Sequence, residues 1–168
     1  MLFGRSKNLV GLDIGDSSVK LAEIREIGRG RGYQLTALAS EPLSDEAIVD
    51  GAIMDAGLVV ETIQRLFRNN RVRTKQVATS LSGHSVIIKR VSLPVMNEQE
   101  LAESIQWEAE QYIPFDIEDV SMDYQILEGS SLSGDGNMDV LLVAVKKDKI
   151  ADYTSVITQA GLVPVVVE

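Results

Sequence analysis

The sequence predicts a mixed α/β protein made of two modules, and three observations predict it. Short apolar runs alternate with turn residues and stretches of helical spacing, in the order β-β-β-α-β and then β-α-β-β-α. Charge divides along the chain: residues 1–90 hold 13 Lys/Arg against 10 Asp/Glu, and residues 91–168 hold 3 against 15, so +3 is followed by −12 and the total is −9. A length of 168 residues with 45% hydrophobic composition can bury a core in one ordinary domain or two small ones. The boundaries expected are 1–84 plus 162–168 for one module and 85–161 for the other.

The apolar run 9–14 reads as a strand buried on both faces. "SVKLAEIREI" (18–27) alternates, with Val19, Leu21, Ile24 and Ile27 against Lys20, Glu23 and Arg25 and a slip near Ala22 and Glu23. After the glycine-rich "GRGRG", "YQLTALAS" (33–40) makes a third strand. Residues 41–57 read as a long connection, after which Val59, Ile63, Leu66 and Phe67 recur at helical spacing with Asp55 near the start. "QVATSLSG" (76–83) closes the first module as a strand.

"SVIIKRVSL" (85–93) is a strand stopped by Pro94. Asn97 and Glu100 form a capping-box pair before a helix with Leu101, Ile105, Ala109 and Tyr112 on one face, which Pro114 ends. "VSMDYQIL" and "MDVLLVAVKK" are strands joined by a polar loop. A last helix begins near Asp148, turns Ile150, Tyr153 and Ile157 inward, and stops at Gly161. "LVPVVVE" reads as a further strand.

Several chemistries are set aside. The chain has no cysteine, which removes disulfides and thiolate metal sites and fits a reducing, cytoplasmic compartment. A net charge of −9 opposes general nucleic-acid binding. No apolar run approaches the roughly 20 residues of a membrane helix, and "MLFGRSKN" lacks a signal-peptide core. Asp135-x-Asn137-x-Asp139 begins like a calcium loop, but Val140 and Lys146 stand where glycine and glutamate are needed. His84 is a lone histidine. The basic run Arg68, Arg71, Arg73 and Lys75 reads as a helix end and loop, or as a contact to an acidic partner or membrane surface.

"NLVGLDIGDSSVKLAEI" (8–24) carries the chemistry. It puts Asp13, Gly15, Asp16, Ser17, Ser18 and Lys20 into the connection between two strands. This is either an ordinary hairpin or a phosphate cradle. In the second case Gly15 lets the backbone approach, the turn's N–H groups and hydroxyls form an anion site, Lys20 adds a point charge, and Asp13 holds magnesium through water.

"GLDIGDSSVK" resembles the first phosphate loop of the actin-like ATPase superfamily, which includes sugar kinases and heat-shock chaperones. "VIIKRVSLPVMNEQEL" and "ESIQWEAEQYIPFDIEDVSMDY" (103–124) narrow the resemblance to the PilM family, the actin-like proteins of the type IV pilus inner-membrane platform. The fold implied is an actin-like (ribonuclease H-like) subdomain with an inserted β-α-β-β-α subdomain, of the kind also found in the division protein FtsA. The cofactor implied is ATP with Mg, on Asp13, Gly15, Asp16, Ser17, Ser18 and Lys20. Family members are longer, and their second half supplies the other phosphate loop and the adenosine pocket. A nucleotide would therefore meet one wall of its cleft here.

The partner implied is the cytoplasmic N-terminal tail of PilN, with PilO and the motor ATPases reached indirectly. Membrane association would run through partners, at the cytoplasmic face of the inner membrane, and self-association is a further possibility of the superfamily. The tail's expected seat is between the modules, near Leu93, Pro94, Tyr112, Ile113, Pro114 and Phe115. A non-catalytic scaffold is the first reading. An FtsA-like division filament protein and an ATP-dependent kinase are the rivals; the sequence shows no carboxylate placed as a kinase base.

Overall fold

A computed structural model describes residues 9–28, 32–83, 86–127 and 136–168. His84 and Asp135, weighed above, lie outside the described residues, as does most of the "GRGRG" loop. The chain divides into two units, Met1–Gly83 with Ile150–Glu168, and His84–Lys149.

In the first unit, strands β1 (Val10–Ile14), β2 (Ser18–Glu26) and β3 (Tyr33–Pro42) form an antiparallel meander. A small hairpin, β4 (Ile48–Val49) with β5 (Ala52–Ile53), precedes helix α1 (Ala56–Asn69) and strand β6 (Gln76–Thr79). The chain returns to this unit through helix α3 (Lys147–Gln159) and strand β10 (Val163–Val167). The sheet order is β10-β6-β1-β2-β3, with β6 parallel to both β1 and β10. Three antiparallel strands followed by parallel crossover strands are the actin-like (ribonuclease H-like) arrangement implied by the resemblance.

The core lies on one face of this sheet. Val10, Leu12 and Ile14 of β1 and Val19 and Leu21 of β2 pack with Val59, Ile63, Leu66 and Phe67 of α1 and Tyr153, Val156 and Ile157 of α3. Strand β1 is therefore buried on one face only; Gly11 and Asp13 on the other are exposed. Asp55 starts α1 as expected, its Oδ1 accepting from Leu58 N at 2.9 Å. The connection 41–57 contains β4–β5, turned by Asp50 and Gly51 at φ 50° and 72°, the left-handed pair of an Asp-Gly hairpin turn. Glu41 anchors α1 to β3, accepting from Arg65 Nε at 3.2 Å and Asn69 Nδ2 at 2.9 Å.

Strand β2 alternates through Glu23, with Val19, Leu21 and Glu23 buried, and its register with β3 shifts only after that, between Glu23 and Ile24. Glu23 therefore faces inward, 8% exposed, while Ile24 and Ile27 face solvent, the reverse of the expected assignment. Two hydroxyls make this tolerable: Thr74 Oγ1 donates to Oε1 at 2.6 Å and Thr36 Oγ1 to Oε2 at 2.7 Å. These donors hold the Glu23 carboxyl below its ordinary pKa, Thr74 contributing most, against the opposing push of burial.

The second unit is a three-stranded antiparallel sheet, β7 (Val86–Pro94), β9 (Asn137–Lys146) and β8 (Val120–Ile126), in the order β7-β9-β8. Helix α2 (Glu98–Glu110) covers one face, placing Leu101, Ile105 and Ala109 on Val91, Leu93, Val140 and Leu142. Both halves of the Asn97–Glu100 capping box form, each at 3.0 Å. The helix stops at Glu110, before Pro114, so Tyr112 leaves the stripe and Ile113 takes the buried place. The unit lacks the closing helix expected of it. Residues 150–161 belong to the first unit, because the apolar stripe of α3 (Tyr153, Val156, Ile157) completes the first core.

Candidate functional site

The Asp13–Lys20 connection is a tight turn built on a cross-strand pair. Asp13 and Lys20 face each other in the β1–β2 register, and Lys20 Nζ donates to Asp13 Oδ2 at 3.0 Å. Both side chains stay 55% exposed, so the pair is a solvated contact of small energetic weight. Gly15 N donates to Ser18 O at 3.0 Å and closes the turn, while Ser17 O accepts from Leu43 N at 2.9 Å and fixes it to the chain leaving β3. A Cβ on Gly15 would meet Ser18 O at 3.4 Å, an ordinary contact, and its φ is not positive, so the turn itself tolerates a side chain there. Asp16 and Ser17 are exposed, ahead of a partly buried Ser18. The structure thus brings the six predicted residues onto one turn with a cation and an anion at its base.

A cavity of about 410 Å³ opens beside the pair, on the sheet face opposite α1. Gly11, Ala22 and Ala78 give it a small-residue floor, with Asp13 and Lys20 on its wall. Thr79 also borders it, but it lies opposite Leu12 and on the face of buried Val77, so its buried hydroxyl, unpartnered among the described residues, belongs to the core side of the sheet. Asp13 is a single carboxylate, and no cluster of three or more metal-ligating side chains occurs among the described residues. A magnesium–phosphate group at this turn would meet Lys20 and exposed turn N–H groups with its phosphate oxygens, and Asp13 would face the ion through its waters.

Sequence reasoning turned Tyr153 inward but did not connect it with the first unit's loop. It is 5% exposed on α3 and donates to Gly51 O at 3.1 Å, tying the helix to the β4–β5 turn. Burial first, then the charges of Asp16 and Asp13, push its hydroxyl above the ordinary tyrosine value. The loop's carboxylates are thus within electrostatic reach of a buried side chain from residue 153. Its place in an amphipathic helix gave no sign of this.

The expected partner residues separate into two groups. Leu93 and Ile113, at 3% and 5% exposure, are core of the second unit and cannot offer a docking surface. Pro94, Tyr112, Pro114 and Phe115 are exposed. Phe115 carries the Lys146 ammonium 4.2 Å from its ring centroid, a cation–π contact. Beside it lies a cavity of about 280 Å³ with Asp116, Asp119 and Asp148 on its wall. Among the described residues no helix is long and apolar enough to cross a membrane.

An antiparallel meander with parallel crossovers, and an acid–glycine–hydroxyl–lysine turn between its first strands, define an actin-like protein. The chain belongs to the family described as type IV pilus assembly protein PilM, whose sequence model matches residues 11–168. It is similar to a solved PilM-PilN type IV pilus biogenesis complex, at 34% identity and TM-score 0.81 over 95% of this chain and 46% of that one. It also shares its fold with the cytoplasmic domain of EpsL, an inner membrane component of the type II secretion system of Vibrio cholerae, at 15% identity and TM-score 0.58, covering 95% of this chain and 56% of that one. The chain thus spans about half the length of the solved chains it matches.

Proposed function

We propose that this chain is the nucleotide-loop and partner-docking half of a type IV pilus assembly scaffold, working at the cytoplasmic face of the inner membrane without catalysing a reaction itself. The observation that carries this reading is the similarity, at 34% identity, to the PilM chain of a PilM-PilN complex. By that similarity the partner is the N-terminal tail of PilN, which would tether the scaffold to the membrane and link it to PilO and the motor ATPases. In the second unit the exposed turn at Tyr112, Pro114 and Phe115 suits this role. It combines two half-exposed aromatics with a cavity of mixed charge, Asp116, Asp119 and Asp148 beside Lys146 and Lys147, so the aromatics rather than the charge would anchor a tail.

Phe115→Ala tests the docking reading. The side chain lies outside the buried core, so the fold should survive with an unchanged melting temperature. Affinity for a synthetic PilN-type tail peptide should fall roughly tenfold, about 1–1.5 kcal/mol, by fluorescence polarisation. Unchanged peptide binding by a folded variant would place the tail elsewhere.

The nucleotide reading rests on the Asp13–Lys20 turn and the small-residue cavity beside it. In the full-length protein, Lys20→Ala and Asp13→Ala should each weaken binding of a fluorescent ATP analogue with magnesium, by about tenfold for the lysine, whose contact is charge-assisted. The exposed ion pair they lose contributes little stability, so melting should barely move. If neither substitution changes binding, the turn is an ordinary hairpin.

A further inference from the structure

The basic run Arg68, Arg71, Arg73 and Lys75 serves neither the phosphate turn nor the tail-docking reading. From Thr62 to Thr79 the chain carries five cations and no carboxylate, in a protein whose net charge is −9. Arg65 pairs with Glu41. The other four are exposed, and none has an ion pair among the described residues. The helix dipole accounts for a cation at Arg68. It does not account for Arg73 and Lys75, which lie past the end of α1.

A cavity of about 290 Å³ opens within the first unit between the ends of α1 and α3, with Ile63, Phe67, Val72 and Leu162 in its lining and Arg68 and Lys75 beside them. Both helices end in the same hydrogen-bonded turn. Val72 N donates to Phe67 O at 3.1 Å and Arg71 N to Arg68 O at 3.2 Å; Leu162 N donates to Ile157 O at 3.2 Å and Gly161 N to Thr158 O at 2.9 Å. In this motif the residue after the left-handed position folds back onto its own helix. Val72 and Leu162 reach the cavity that way. The left-handed position itself is Gly161 in α3, at φ 83°, and Arg71 in α1, at φ 55°. Glycine is the lower-energy residue there, so α1 holds a cation against the backbone's preference. The site lies toward the start of β6, where Val77 pairs with Val10, and is separate from the turn that follows β1.

We propose that this cavity binds an acidic peptide segment of a partner protein: one apolar side chain enters it, and flanking carboxylates meet Arg68 and Lys75, with Arg71 and Arg73 adding to the field. A peptide is the occupant because the apolar groups are sunken. Insertion into an anionic membrane uses protruding apolar side chains, whereas Phe67 and Leu162 are only 6% and 4% exposed. A recess takes a projecting knob, and the cations around it select a knob with acidic neighbours. The site is independent of the tail-docking reading, whose residues belong to the other unit.

The test titrates the isotope-labelled chain with a short synthetic peptide that carries a phenylalanine between pairs of glutamates. The amide NMR signals of Phe67, Val72 and Leu162 should move, with a dissociation constant on the order of 100 µM that rises several-fold as salt screens the charges. Arg68→Gln with Lys75→Gln should weaken binding by about tenfold or more. Gln64→Trp, which adds bulk to the lining from an exposed position, should block it. Circular dichroism checks that each variant is folded. Phe115→Ala should bind this peptide as the native chain does, whatever it does to tail docking. A peptide with lysines in place of the glutamates should not bind. Cavity amides that ignore millimolar acidic peptide overturn the inference, as does binding that survives both cavity variants or is matched by the lysine peptide. So does sedimentation with phosphatidylglycerol vesicles that depends on Arg68 and Lys75 while the peptide has no effect, which would assign these cations to a membrane surface.

Discussion

Leu66→Ala is expected to destabilise the first unit by about 3–5 kcal/mol, and Leu101→Ala the second by a similar amount, with each loss confined to its own unit. Both leucines are fully buried, at 0% exposure. Leu66 belongs to the cluster of Val10, Leu21, Ile63 and Val77, whereas Leu101 belongs to that of Leu93, Val140 and Leu142. The two clusters share no residue. A cavity left in one removes transfer energy and contacts from that cluster alone, and the rigid neighbours cannot close it fully. Native-state hydrogen exchange reads the outcome element by element. Leu101→Ala should lower amide protection in β7, β8, β9 and α2 while β1, β2 and β6 keep theirs. Equal loss of protection in both units after either substitution would show one cooperative core and sink the expectation.

The separateness of the cores also explains what could be read from the chain and what could not. Features set by neighbouring residues were legible: the Asn97–Glu100 box, the Asp55 start of α1, the stop at Gly161 and the turn from Asp13 to Lys20. Each is a short-range choice of dihedral angle or hydrogen bond. The assignment of α3 was not. An amphipathic stripe states that a helix buries one face and leaves open which sheet receives it, and Tyr153, Val156 and Ile157 turned out to face the first core. Leu93 and Ile113 were misplaced for the same reason: an apolar residue beside a proline looks alike whether it faces a groove or a core. The Asp50-Gly51 hairpin went unread inside the long connection 41–57, because its strands are two residues each, too short for a period to register. At the nucleotide turn the six residues were legible because they are contiguous, whereas the cavity floor beside them was not, because only the sheet brings Ala78 next to Gly11.

Glu23 is the clearest failure of local reading, and it leads to a pH-dependent expectation. Alternation from Val19 and Leu21 points Glu23 inward, but its charge argues for solvent, and the two hydroxyls that settle the matter come from 13 and 51 residues away. Removing it should be costly. Glu23→Ala leaves the Thr36 and Thr74 hydroxyls without their acceptor, and hydrogen bonds to a charged group contribute about 1.5–3 kcal/mol. A loss of about 2–3 kcal/mol is expected, with the Thr74 segment before β6 loosened most. The folded carboxyl titrates below its unfolded counterpart, so the folded state binds the proton less well. Its stabilisation is therefore complete above the unfolded value, near pH 4.3, and drains away as pH falls from there through the depressed folded value. Glu23→Gln separates the two parts. An amide keeps one acceptor oxygen but cannot ionise, so that variant should be less stable than the native chain at pH 7 and should close much of the gap near pH 3. Urea denaturation at the two pH values checks this. A gap between the native chain and the Glu23→Gln variant that is the same at pH 7 and pH 3 would show that the ionised carboxylate contributes nothing beyond its shape.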